Sequence, residues 1–431
     1  MNRREIYRPL IERTLENHQV QYLARRYDFG KESLVASLLV KEINTRMEEA
    51  ETQVGIERVK PFELYIRRRR GNIRLPLFRR EYLDPILAGG DFSDARELVL
   101  QRCFDQYQTG FPKARKVDVL SLIDPWALVR GRGPSSYSCE VTTSLTPYDE
   151  QDSQVWEREL ASIRPVPPAG RFNTLDICAP AHVVKDLTGF VVRETGLGRV
   201  TARQLVEDVI VLRNTVCPRT GELKSGEMPL LATHVNAYLS EEVATRFRRQ
   251  APVIITVWKP GEIENWPRQV PQYLTLLKRR VVRVCFEAYR QGGLLTLMDL
   301  QWIFQLSSSR ISQLIRSFQK EHNIIVPTPG TVLDAGKSMT HKDIIVNLHL
   351  QGFTVKEISR ITHHSPRAVD NYVGTFEAIL ILHLFGMPPP LMARILKRGM
   401  ALVREYLQLI KEIYPEEEKL KEHLRAEGVK L

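Results

Sequence analysis

The side chains of this chain best suited to chemistry are cationic and amide groups set at helical spacing in its last third. Ser309, Arg310, Gln313, Arg316 and Lys320 fall on one side of a helix expected over roughly Ser308 to Lys320. Ile311, Leu314, Ile315 and Phe318 fall on the other side, and no acid follows until Glu321. An arginine can hold guanine, and a glutamine adenine, through two parallel hydrogen bonds. Lysine neutralises phosphate and releases counterions. A second set comprises Arg367 and Asn371, with Asp370 between them as a carboxylate that phosphate would repel. A third is the run Arg67-Arg68-Arg69-Arg70. The chemistry these sets share is recognition of nucleic acid, by base edges for the first two and by phosphates for the third.

The element that must position the first two sets is a repeat. Thr296-Leu297-Met298-Asp299-Leu300 and Thr354-Val355-Lys356-Glu357-Ile358 open two stretches that superimpose when shifted by 58 positions, matching Ile303 with Ile361, Ser307 with Ser365, Ile311 with Val369 and Ile315 with Val373. A third stretch lies 34 positions further on, with Gly386, Met392, Arg394, Ile395, Val403 and Tyr406 at the places of Gly352, Ile358, Arg360, Ile361, Val369 and Tyr372. Each has the apolar spacing of two short helices joined by a tight turn. Thr354 predicts an N-cap with Glu357 completing a capping box, and Pro366 suits the first position of the following helix. The second helix of such a pair enters the major groove of DNA. In the third copy Pro388-Pro389-Pro390 replaces the cap and Gly399 falls in the turn, so a packing or dimerisation role is expected there.

Two neighbouring segments are expected to assist the first pair. Ile324 to Leu333 holds two β-prone runs around Pro329-Gly330, the pattern of a wing hairpin. Lys278, Arg279, Arg280 and Arg283 lie on a helix ending at Gly292-Gly293, read as a basic approach helix. Further upstream, Gly71-Asn72 between β-prone flanks signals a hairpin turn. Seven arginines stand between positions 67 and 80, suiting a phosphate-gripping ribbon or a minor-groove arm.

Charge agrees with a polyanionic partner. The net charge is +11, yet residues 56–80 carry nine Lys or Arg against two Glu, and residues 275–374 carry thirteen against seven acids. The remainder is close to neutral, so the positive potential is local. The five cysteines are scattered without a CxxC pair, which argues against a disulfide framework or zinc ribbon and fits a cytoplasmic location. No apolar run is long enough to span a bilayer. Phosphate-binding loops, dinucleotide fingerprints, HExxH and GxSxG are all missing, so no cofactor, no metal and no enzymatic activity are expected. His341, His363 and His364 read as surface histidines. His364-Ser365-Pro366-Arg367 followed by Tyr372 or Tyr406 has a loose likeness to a tyrosine recombinase, without a recognisable upstream arginine.

The expected fold class is α+β, mainly α, and multidomain. An N-terminal helical pair spans 1–55, with helices over Leu10 to Arg26 and Ser33 to Met47. A mixed region with the arginine-rich hairpin spans 56–170, and a helical and mixed region over 171–274 ends in a strand at Val253 to Trp258. A winged helix-turn-helix at 275–336, a second helix-turn-helix at 337–378 and a degenerate third with a C-terminal helix at 379–431 complete the chain.

The chain resembles a family of bacterial and archaeal proteins described as a domain of unknown function (number 1670). The resemblance rests on Glu287-Ala288-Tyr289-Arg290-Gln291-Gly292-Gly293, Ile325-Val326-Pro327-Thr328-Pro329-Gly330, Leu350-Gln351-Gly352 and His364-Ser365-Pro366-Arg367-Ala368-Val369-Asp370-Asn371-Tyr372. It implies a winged helix-turn-helix followed by further helix-turn-helix units, and it implies no reaction. The expected function is sequence-specific binding of double-stranded DNA in transcriptional regulation, with the N-terminal half supplying homo-oligomerisation or partner binding. Alternatives are a DNA-processing protein of recombinase or mobile-element type, or a helical protein-interaction scaffold.

Overall fold

The structure, a computed structural model, describes residues 3–29, 34–68, 71–110, 180–235, 250–259, 270–322, 324–333, 340–362 and 366–416, and the single positions 237, 262, 364, 418, 421 and 425. These residues form an α+β fold that is mainly helical, with sixteen α-helices and five strands. The chain divides into two compact units, Met1–Phe318 with Pro327–Pro329, and Gln319–Val326 with Gly330–Leu431.

The first unit opens with α1 (Arg3–Ile11), α2 (Leu15–Arg26) and α3 (Leu34–Gln53). The single helix expected over Leu10 to Arg26 is broken because Thr14 caps α2, its side chain accepting the Asn17 amide. Leu23, Leu39, Val40, Ile43 and Met47 pack with Leu187, Val191, Leu205, Val206 and Val209 from α6 (Ala181–Thr195) and α7 (Arg199–Val216). Near the C-terminal ends of α3 and α7 lies a buried ion triad. Arg58 and Arg213 each donate to Glu51 at 2.6 Å, and Arg58 also reaches the Cys217 carbonyl.

Strands β1 (Glu63–Arg68) and β2 (Gly71–Pro76) form the expected hairpin, followed by α4 (Asp84–Leu87) and α5 (Phe92–Gly110). Its turn differs from the sequence reading. Arg67 pairs with Asn72 and Arg68 with Gly71, so Gly71 and Asn72 belong to the second strand. That register sets Ile66 opposite Ile73 and Leu64 opposite Leu75. A turn at Gly71-Asn72 would slide these apolar pairs apart. A second sheet, in the order β4-β3-β5, joins β3 (Glu227–His234), β4 (Gln250–Thr256) and the short β5 (Gly293–Leu294). Between β4 and β5 runs α8 (Val270–Arg290), and after β5 come α9 (Leu297–Phe304) and α10 (Ser308–His322).

The second unit continues with α11 (Pro329–Val332), α12 (Thr340–Leu350), α13 (Val355–Thr362), α14 (Pro366–Leu384), α15 (Pro389–Ile395) and α16 (Met400–Ile413). One core gathers Ile325, Ile344, Ile345, Leu348, Ile358, Val369 and Val373. A second gathers Val346, Phe376, Ile379, Leu380, Met392, Val403, Tyr406 and Ile410. The wing hairpin expected at 324–333 is not formed. Residues 324–328 make no strand, and Pro329, its φ preset for a first helical turn, opens α11 instead. Local partners take the groups that a hairpin would need: the Val326 amide donates to Gln319 Oε1 at 3.2 Å, and Thr331 Oγ1 donates to the Val326 carbonyl at 2.9 Å.

Candidate nucleic-acid interface

Helices α9 and α10 are joined by Gln305-Leu306-Ser307. Thr296 caps α9 through a capping box with Asp299, whose Oδ2 accepts the Thr296 amide at 2.8 Å. The same carboxylate receives Arg13 Nη1 at 2.7 Å on both oxygens, in a pair whose side chains are 2% and 0% exposed. Leu300, Trp302, Ile303 and Phe304 are buried, and the Trp302 ring lies edge-on to Phe78 and Phe92 at 5.0 and 5.2 Å. Gln305 turns the chain with φ +52°, and its buried amide donates to the carbonyls of Trp302 and Leu77. Helix α9 is thus fixed from Asp299 to Phe304, with Leu297 of its first turn exposed.

Helix α10 is amphipathic in the way its sequence predicts. Ile311, Leu314, Ile315 and Phe318 are buried, while Ser309, Gln313, Arg316 and Lys320 are exposed and Arg310 is half-buried. Ser307 Oγ accepts the Arg310 amide at 3.3 Å at the helix start. Arg310 donates to Gln313 Oε1 at 3.3 Å, and Arg316 donates to Ser312 Oγ at 2.8 Å. These contacts stay within the helix, so the polar groups sit along its outer face.

The basic approach helix proves to be something else. On α8, Lys278, Arg280 and Arg283 are 6%, 4% and 1% exposed. Arg280 Nε donates to Glu262 at 3.0 Å, and Arg283 binds both oxygens of Glu262 and the Thr256 carbonyl. Burial by itself would raise the Glu262 carboxyl, but Arg283 and Arg280 hold it below its ordinary value. Burial likewise lowers the Arg280 guanidinium. These cations are structural.

In the second unit the capping box forms as predicted, with Thr354 Oγ1 donating to Glu357 Oε2 at 2.7 Å. Pro366 begins α14, and Arg367, Asp370 and Asn371 are exposed on it above buried Val369 and Val373. His364, expected at the surface, is 4% exposed. Its Nδ1 lies 2.8 Å from the Thr362 carbonyl and its ring meets Tyr372 edge-on. Tyr406 is buried, its hydroxyl donates to the Tyr372 carbonyl at 3.3 Å, and burial raises its pKa. Helices α15 and α16 form the third pair, with an exposed cationic group that the sequence reading passed over: Arg394, Lys397, Arg398 and Arg404. Its signal was available, since no acid occurs between Glu377 and Glu405.

Of the hairpin arginines, Arg67 is exposed, but its guanidinium donates to the Leu223 carbonyl at 3.1 Å. Arg68 closes β1, while Arg69 and Arg70 lie outside the described residues. Arg74 donates to the Arg58 carbonyl at 2.8 Å. Among the described residues, no three His, Cys, Asp or Glu side chains gather as a metal site.

Residues 196–409, which take in β3 to β5, α8 to α10 and all three helix pairs, match the model of a family described as a protein of unknown function (DUF1670). This segment belongs to that family. No curated protein and no solved structure matches the chain. The DUF1670 segment therefore holds the whole helical repeat, while the arginine-rich hairpin and the Arg13 contact come from outside it. Among the described residues no helix is long and apolar enough to cross a membrane.

Proposed function

We propose that the chain is a cytoplasmic, non-enzymatic DNA-binding protein that reads sequence through α9 and α10 acting as a helix-turn-helix, in the service of transcriptional regulation. The observation that carries this reading is the contrast within the pair: α9 is buried from Asp299 to Phe304, while α10 keeps Ser309, Gln313, Arg316 and Lys320 exposed without an intervening acid. A recognition helix needs that division, one helix as a fixed support and the next with a polar face toward base edges. In this reading the hairpin of β3 and β4, with β5 beside it, replaces a C-terminal wing as the sheet of the module. Helix α14 adds Arg367 and Asn371, and the run Arg67 to Arg70 adds phosphate contacts.

The test is selection of a preferred duplex from a random pool, followed by gel-shift titration of variants. Arg310→Ala and Arg316→Ala should each weaken the selected duplex while leaving random duplex nearly unaffected. Equal loss on both duplexes would reduce α10 to a phosphate contact, and no loss on either would remove it from the interface.

A further inference from the structure

The second unit carries a charged surface that base reading by α10 does not use. Arg394, Lys397, Arg398 and Arg404 are all exposed around the turn between α15 and α16. The stretch from Ala378 to Arg404 contains no acid. Their helices are anchored from beneath by Met392, Val403, Tyr406 and Ile410 in the apolar core. Lys397 holds φ +52°, a conformation in which glycine would be unstrained, so a cation stands where the backbone favours none. The patch is also joined to the outer face of α14. A cleft of about 220 Å³ is lined by Asp370, Asn371 and Thr375 of α14 on one side and by Leu396 and Arg398 on the other. The Tyr406 hydroxyl, bound to the Tyr372 carbonyl, ties the two helices together behind it.

We propose that the third helix pair is a phosphate-binding element, in which Arg394, Lys397, Arg398 and Arg404 hold the backbone of a DNA duplex beside the α14 residues Arg367 and Asn371. The proposal rests on the reading that this chain binds DNA and assigns the third pair a part in it. Three guanidinium groups and one ammonium on an exposed surface suit sequence-independent contact with phosphates. Asp370 at the cleft opposes that contact, which gives the proposal a second, oppositely signed consequence.

The experiment is fluorescence anisotropy of the full chain with a labelled duplex of mixed sequence over a range of salt concentrations. The variant Arg394→Ala/Lys397→Ala/Arg398→Ala/Arg404→Ala should weaken binding. It should also flatten the slope of log affinity against log salt by about 0.9 for each phosphate contact removed. Asp370→Asn should tighten binding at low salt. Circular dichroism melts show whether each variant is folded, and Arg398→Ala alone, a single exposed change, gives a milder form of the same test. The control Arg25→Ala/Lys41→Ala removes exposed cations of the other unit and should leave the slope unchanged. An unaltered slope in the folded quadruple variant would overturn the proposal, as would an equal change in the control. If the wild-type chain fails to retain duplex even at low salt, the DNA-binding reading itself fails. If it retains duplex with a slope indifferent to these four residues, only the role of the third pair falls.

Discussion

Helices α8 and α10 are both basic in the sequence, yet the structure buries cations of the first and exposes cations of the second. Lys278, Arg280 and Arg283 of α8 face inward, the last two onto Glu262, whereas Arg316 and Lys320 of α10 lie exposed with only a serine of their own helix beside Arg316. The difference is set by whether an acid from elsewhere meets the helix. A buried guanidinium is tolerated only when paired and hydrogen-bonded. On α10, Arg316 and Lys320 face solvent instead. A basic helix is therefore a candidate for DNA only once its partners are known.

That contrast can be broken experimentally. Its largest expected consequence is on stability: Glu262→Ala leaves Arg280 and Arg283 buried without their acid and should cost about 3–5 kcal/mol, read from denaturant unfolding. A loss below about 1 kcal/mol would mean that α8 can release its cations to water. Next in size, Arg310→Ala and Arg316→Ala should each reduce binding to a selected duplex by about 1–3 kcal/mol if they meet bases. Their unfolding midpoints should stay near wild type, the reverse of the Glu262 result. Neutralising Arg67 and Arg68 should have a smaller effect, spread equally over all sequences and visible as a shallower salt dependence. A sequence-selective loss would move the hairpin from phosphate contact to base reading. The smallest effect concerns the cleft of the second unit. Gly374 lies on α14 with open space around an added Cβ, so Gly374→Ala should stabilise the fold by about 0.5–1 kcal/mol. A weakened affinity for duplex in that stabler variant would show that the cleft is occupied when DNA is bound.

The elements set by local rules were legible in the sequence. Thr354 with Glu357, Pro366 at the head of α14, and the apolar stripe Ile311, Leu314, Ile315 and Phe318 each act within one or two helical turns. What was hidden depends on distant partners. Glu262 lies 21 positions from Arg283 in a stretch without helical periodicity, so the inward turn of α8 left no trace in its own residues. At 324–333 the β-prone Ile325 and Val326 suggested strands, but burial in the core of the second unit and the helix-starting Pro329 decided otherwise. The hairpin at Glu63–Pro76 was visible as an element, and its register became clear only when the apolar pairs were matched across it.

The contact between Arg13 and Asp299 spans 286 positions and seals the head of α9 with a group from the far end of the chain. During synthesis that acid leaves the ribosome long after the arginine, so this ion pair can close only when α9 has been made. A fragment beginning after Arg13 would leave the buried Asp299 without its counter-ion, held by Thr296 alone. The pair of α9 and α10 is thus no detachable cassette, and transplanting it into another protein would require carrying the opening helices along.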